Sequence, residues 1–218
     1  MVSLPHNCER PCSCKEKHST PQLVVLTGGP GAGKTAVLEF IRKALCEHIA
    51  ILPEAASILF GGGFWRIDSH SGKMAAQRAI YHVQEEIQRL VLEEKKWSMG
   101  FCDRGTLDGL AYWPEAEANF FAALNTNLEI EFKKYKAVIH LRSPSLASGY
   151  NYQNPIRVES AELAVQIDQR IHEIWRDHSN YFLIESASDF TTKLQMATKH
   201  VQSLIPECCK IHLIGKLT

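Results

Sequence analysis

The sequence predicts an α/β fold in which a five-stranded parallel sheet is covered by helices on both faces, giving three α/β/α layers. Three observations predict it. Short apolar runs rich in Val, Ile and Leu recur along the chain and read as buried strands. Amphipathic helical stretches separate them, which demands right-handed crossovers between parallel neighbours. A glycine-rich loop joins the first apolar run to the first helix.

Each element can be justified in chain order. Residues 22–27, QLVVLT, form the first strand, and glycines stop it. Ala36, Val37, Phe40, Ile41, Ala44 and Leu45 then recur at helical spacing. Residues 49–53, IAILP, read as the second strand, with Pro53 marking its exit before Glu54. A short helix over 55–60 leads into the loop Gly61-Gly62-Gly63-Phe64-Trp65. Ala76, Ile80, Val83, Ile87 and Leu90 mark a long amphipathic helix over 73–95, and residues 97–102 form the third strand. Helical stretches over 106–134 are interrupted near Trp113-Pro114 and Asn125, and residues 137–141 are the fourth strand. A second long helix covers 160–178, residues 181–184 are the fifth strand, and 190–204 the last helix. The domain is expected over 21–206, with a lid over 142–159, a flexible polar tail over 1–20 and a C-terminal tail over 207–218.

The most specific signal is Gly28-Gly29-Pro30-Gly31-Ala32-Gly33-Lys34-Thr35, which fits G-x-x-x-x-G-K-[ST] between a strand and a helix. In such a phosphate-binding P-loop the backbone N–H groups turn inward as an anion cradle, and the helix N-terminus adds positive potential. The lysine at position 34 then reaches the β- and γ-phosphates, and the hydroxyl of Thr35 holds Mg²⁺.

Ligands of parallel α/β sheets bind at the carboxyl ends of the strands. Glu54, Asp103, Arg104 and Arg142 all fall there. Asp103 is read as an acid that holds Mg²⁺ or as a helix N-cap ahead of Gly105, and it shares with Glu54 the candidacy for assisting the attacking hydroxyl. Glu54 either accepts the proton of an attacking hydroxyl or stabilises the first turn of a helix. Arg104 would neutralise charge on a transferring phosphoryl group, its place at a strand end arguing against a plain surface ion pair, and Asp108 would bind substrate or orient Arg104. The lid carries Arg142 and Arg157 as phosphate contacts, and excluding water would protect the γ-phosphate; an ordinary surface loop is the alternative. Arg170 either reaches the site or pairs with Asp168 and Glu173 on a solvated face. Phe64, Trp65, Tyr112 and Trp113 either stack on a flat substrate or fill the core.

Composition bounds the function classes. The 218 residues suit one domain, and 45 % hydrophobic content can supply its core. Lys plus Arg total 24 and Asp plus Glu total 24, so net charge gives no support to a nucleic-acid binder. The chain has neither the apolar stretch of a secretory leader in residues 1–21 nor a membrane-length apolar run, and it reads as soluble and cytoplasmic. Seven cysteines, with Cys46 in a predicted helix and Cys102 in a predicted strand, suit a reducing compartment. Cys8, Cys12, Cys14 and His18 are competent zinc ligands at a non-standard spacing, and a disordered tail is the preferred reading. The Cys208-Cys209 pair reads as incidental.

Together these residues resemble the NadR-like AAA-type P-loop family. That family takes in ribosylnicotinamide kinase domains and the nucleotide-binding proteins named for a defect in TRP-channel translocation. The likeness spans about residues 23–185 through GGPGAGKT at 28–35, LPEAAS at 52–57, GGGF at 61–64, CDRGTLDGLAYWP at 102–114 and HLRSP at 140–144. Only the first is specific across proteins; the rest count as an ordered set. Glu54 with Asp103-Arg104 is also similar to the arrangement in deoxynucleoside kinases, where a glutamate after the second strand serves as base. The resemblance implies a P-loop NTPase of nucleoside-kinase-like fold, binding ATP or GTP with Mg²⁺ and transferring phosphoryl to a nucleoside-like hydroxyl. The sequence departs from the ribosylnicotinamide enzymes in its arginine-poor lid and in showing no adenylyltransferase segment. It carries no N-K-x-D segment, so ATP is favoured over GTP. A small-molecule kinase is the first expectation, a non-enzymatic nucleotide switch acting on a protein or membrane partner the second, and an ATPase working on a macromolecule the third.

Overall fold

The computed structural model describes residues 20–143, 161–186 and 189–210. Five strands, β1 (Gln22–Thr27), β2 (Ile49–Leu52), β3 (Met99–Asp103), β4 (Tyr135–Leu141) and β5 (Tyr181–Ile184), form one sheet in the order β2-β3-β1-β4-β5. Every pairing is parallel, and the register sets Leu26 opposite Asp103 and Thr27 opposite His140. The P-loop therefore leaves the sheet between the ends of β3 and β4.

The helices are α1 (Lys34–Ala44), α2 (Ala55–Gly61), α3 (His70–Glu94), α4 (Glu117–Leu124), α5 (Leu128–Lys133), α6 (Ala161–Trp175), α7 (Phe190–Leu204) and α8 (Glu207–Lys210), with a 3₁₀ helix over Thr106–Tyr112. Alternation along β1 assigns its side chains to two cores. Val24 and Leu26 pack with Val37 and Ile41 of α1 and Ala197 and Val201 of α7. Leu23 and Val25 pack on the other face with Tyr81 of α3 and Ile167, Ile171 and Trp175 of α6. Burying both faces is why the strands read as continuous apolar runs rather than alternating ones.

Element ends differ from expectation by a few residues, each for a local reason. Helix α3 begins at His70 because the Ser69 hydroxyl accepts the Gly72 N–H at 3.1 Å, an N-cap. Strand β3 runs on to include Asp103, and β4 starts at Tyr135, where pairing with Leu23 begins. Cys46 is not helical: α1 ends at Ala44, and Leu45 is extended as its C-cap. Residues 207–210, assigned to a tail, form α8, whose Cys209 is buried in the core. The breaks at Pro114 and Asn125 occur as expected, Asn125 adopting a left-handed backbone that ends α4. Among the described residues, no helix is long and apolar enough to cross a membrane. The Cys8, Cys12, Cys14 and His18 group lies outside the described residues.

Candidate functional site

The P-loop runs from the end of β1 into α1, and its glycines meet hard geometric demands. Gly28 sits at φ 138, and a Cβ there would fall 2.0 Å from the Leu141 carbonyl oxygen. Gly33, at φ 93, is the N-cap of α1, and the Phe190 ring lies 2.8 Å from where its Cβ would stand. Both positions are left-handed or beyond, where an L side chain is strained. The loop thus turns back on itself ahead of the first turn of α1, whose N–H groups have no intrahelical partners and make an anion site of such a helix start. Thr35 stands exposed on that first turn.

Lys34 folds over the loop, donating to the carbonyls of Gly28 at 2.9 Å and Gly29 at 3.1 Å. Burial, with the Arg104 guanidinium second, pushes its pKa down to about 8. Asp103, Glu54 and Asp108 pull it back toward the charged form, which a polyphosphate would favour further.

Arg104 occupies the centre of the site. Its backbone is left-handed, φ 80, a conformation that costs a non-glycine residue about 1–2 kcal/mol. Long-range bonds hold it there: its N–H donates to the Leu26 carbonyl at 3.1 Å, and its carbonyl accepts from the Gln84 side chain. The guanidinium donates through Nε to Glu54 Oε1 at 2.7 Å and through Nη1 to the Gly28 carbonyl at 3.3 Å and Asp108 Oδ2 at 3.4 Å. It also lies 5.9 Å from the Tyr112 ring centroid.

Glu54 is the N-cap residue of α2, but its side chain caps nothing; it turns to Arg104 and to the Ser57 hydroxyl. Burial alone would raise its pKa; the facing guanidinium and the Ser57 hydrogen bond outweigh that and hold it down to about 2. Asp108 is 2 % exposed and fully engaged, accepting from the Thr27 hydroxyl at 2.5 Å and the Trp175 indole N–H at 2.8 Å as well as from Arg104. Of its two sequence readings, orienting Arg104 is the one this geometry supports.

Asp103 is different. It does not cap a helix, since Gly105 is the N-cap of the 3₁₀ helix. Its Oδ1 is buried without a hydrogen-bond partner, and burial raises its pKa against the pull of Lys34. A lone buried carboxylate oxygen beside a lysine at the end of β3 is the donor that a hard divalent cation needs, and the exposed Thr35 hydroxyl is a second oxygen of the same kind. The residues present fit Mg²⁺.

The second ring of the site was not anticipated. Asp168 on α6, which one of the two readings of Arg170 places on a solvated face, is 4 % exposed. Its Oδ1 accepts the Gly29 N–H at 2.8 Å and the Ser143 N–H at 3.2 Å and meets His140 Nε2 at 3.1 Å. Arg142, expected at phosphates, donates to Asp168 Oδ2 at 3.0 Å and to Gln169 at 3.1 Å. Burial opposes ionisation of Asp168, but the His140 contact and its other partners hold its pKa below the ordinary value. Arg170 instead donates to the Ala111 carbonyl at 3.4 Å. Lys193 of α7 is also buried, bonding the carbonyls of Ala32, at 2.8 Å, and Arg142. The only sequence sign of Asp168 and Lys193 was a charge on the inner face of an amphipathic helix. Trp113 is a core residue packed at 5.3 Å on Phe120, whereas Trp65 is 78 % exposed on the loop after α2. Arg157 and most of the segment 142–159 lie outside the described residues.

Comparison with known proteins agrees with this architecture. The thymidylate kinase from Ehrlichia chaffeensis superposes with a TM-score of 0.54 over 85 % of this chain and 98 % of its own, at 12 % sequence identity. At that identity the likeness is one of fold, a P-loop α/β fold. No curated protein matches the sequence. A family described as AAA domain matches residues 23–193, which takes in the P-loop, all five strands and both buried charges that brace them: the chain belongs to the AAA-domain family of P-loop proteins.

Proposed function

We propose that the chain binds ATP with Mg²⁺ and acts as a small-molecule kinase, passing the γ-phosphoryl group to a nucleoside-like hydroxyl, within the NadR-like branch of its family. The observation that carries this reading is the unpartnered buried oxygen of Asp103 beside Lys34 at the mouth of the P-loop. Gly28 to Thr35 would cradle the phosphates, and Thr35 and Asp103 would hold the cation. Bound there, Mg²⁺ would supply charge neutralisation between the phosphate oxygens.

Lys34 exchanges the Gly28 and Gly29 carbonyls for phosphate oxygens. Arg104 turns from Glu54 to the transferring phosphoryl group, where its planar donors match the spread charge. Released from the guanidinium, Glu54 regains proton affinity and accepts the proton of the acceptor hydroxyl. Asp108 keeps Arg104 in reach throughout. In this reading the lid brings Arg157 to the phosphates, and Arg142 joins it once freed from Asp168.

A second reading, a regulatory nucleotide switch using ATP or GTP, draws on a specific observation: Lys34 and Arg104 both close on the Gly28 carbonyl, a latched loop that a nucleotide must open. A screen of nucleosides and ribosyl compounds for ADP formation separates the two. Kinase activity requires turnover stimulated by one acceptor class and reduced by roughly 10²-fold in Glu54→Gln with nucleotide binding intact. Tight nucleotide binding that no hydroxyl compound accelerates would sink the kinase reading in favour of the switch.

A further inference from the structure

At the amino ends of β2 and β3, the opposite end of the strands from the P-loop, three metal-ligating side chains meet. A turn closed by the Ile49 N–H to the Cys46 carbonyl, 3.1 Å, sets Cys46 and His48 just ahead of β2. Ser98, just ahead of β3, anchors this turn by donating to the His48 carbonyl through its N–H at 2.8 Å and its hydroxyl at 3.1 Å. Helix α8 brings in Cys209, whose Sγ lies 3.8 Å from the same Ser98 hydroxyl. Cys46 Sγ, a His48 ring nitrogen and Cys209 Sγ all lie within 4.8 Å of one another. Cys46 is 3 % and Cys209 0 % exposed.

We infer that Cys46, His48 and Cys209 form a zinc site that staples α8 to the turn between α1 and β2. Two thiolates and an imidazole are ligands for a borderline or soft cation and unsuited to Mg²⁺ or Ca²⁺, which take oxygen. Bonds of about 2.3 Å to sulfur and 2.0 Å to nitrogen space tetrahedral ligands roughly 3.5–3.8 Å apart, so the three need to close by only about 1 Å. The fourth position falls to water.

Cysteines buried as small hydrophobes need no such company. Cys102, equally buried in β3, belongs to no ligand cluster, and Cys46, His48 and Cys209 make the one such group among the described residues. A partly buried imidazole within 4.8 Å of two thiols from distant parts of the chain is what burial alone does not account for. On binding, each thiol gives its proton to solvent and becomes a thiolate, so one zinc ion releases up to two protons. The site lies away from the nucleotide, so this inference stands or falls independently of the kinase reading.

The test is metal analysis of the full, reduced, tag-free chain, with cobalt as a spectroscopic probe. About one zinc per chain is expected, replaceable by Co²⁺ with the charge-transfer bands of cobalt thiolate. Cys46→Ser and Cys209→Ser should each lose it. The tail variant Cys8→Ser/Cys12→Ser/Cys14→Ser should keep it, which separates this site from the N-terminal cysteines. Because substituting a buried cysteine can itself impair folding, a zinc-selective chelator applied to the unmutated chain supplies a second readout: its melting temperature should fall, and added zinc should restore it. The inference is overturned by absence of zinc and of cobalt–thiolate bands in the reduced chain. Zinc that persists in Cys46→Ser and Cys209→Ser overturns it equally, as does zinc lost only in the tail variant.

Discussion

Asp168 Oδ1 accepts the backbone N–H of Gly29 at 2.8 Å across 139 positions of chain, so a helix on one face of the sheet holds the first turn of the P-loop. With Ser143, His140 and Arg142 on the same carboxylate, the loop, the end of β4 and α6 are tied at one point. Asp168→Asn keeps the shape and removes the charge that these donors need. We expect a loss of about 2 kcal/mol in urea unfolding, because the charge-assisted hydrogen bonds from Gly29, Ser143 and the part-buried Arg142 to this carboxylate are weakened together. Nucleotide affinity should fall with it. The lowered pKa of Asp168 makes its contribution present above the ordinary carboxylate range and lost as pH falls through the lowered value.

Asp103→Asn should do the reverse to stability. The folded state raises the pKa of this acid, so at neutral pH its charge works against folding and relief comes only as pH drops. Removing the charge should stabilise the nucleotide-free chain by ~1 kcal/mol, read as a higher melting temperature. The same variant should bind nucleotide without the Mg²⁺ dependence of the native chain. A fall in stability together with unchanged Mg²⁺ dependence would rule out the metal role.

Lys34 sits at about 8 because it is buried next to Arg104. The phosphates of a bound nucleotide favour its charged form, so binding at pH 8.5 to 9 should take up a proton, and affinity should decline as pH rises above 8. Calorimetry in buffers of different ionisation enthalpy measures this uptake. Lys34→Arg, permanently charged, should bind without it, and Lys34→Ala should abolish nucleotide-dependent thermal stabilisation.

The pairing of Glu54 with Arg104 should appear in acid. Glu54 is held at about 2 against an ordinary 4.5, so its contribution is full above that ordinary value and drains away as pH falls toward 2. Glu54→Gln should flatten this limb of the stability–pH curve. An unchanged acid limb would mean that the ion pair is not formed in solution.

Much of this was legible in the chain because its signals are local. Strand β1 and helix α7 begin and end where their apolar runs do, and the P-loop motif carries its own geometry in Gly28 and Gly33. Glu54, Asp103 and Arg104 were found because strand ends in a parallel sheet share one edge. What stayed hidden depended on distant partners. In the sequence Asp168 reads only as an alternative partner of Arg170 on a solvated face because its partners Gly29, His140 and Arg142 lie on other elements, and the choice for Trp113 between stacking and core was decided by Phe120 of α4. Cys46 looked helical because hydrophobic spacing alone does not register a C-cap at Leu45.

The sequence by itself therefore determined the layers, the strand sequence and the anion-binding turn, since periodicity and backbone freedom are properties of neighbouring residues. Only the tertiary structure decided which charges are paired, which oxygen is left alone, and that Cys46, His48 and Cys209 come together. Desolvation and hydrogen bonding depend on what lies across space, and chain distance carries no record of that.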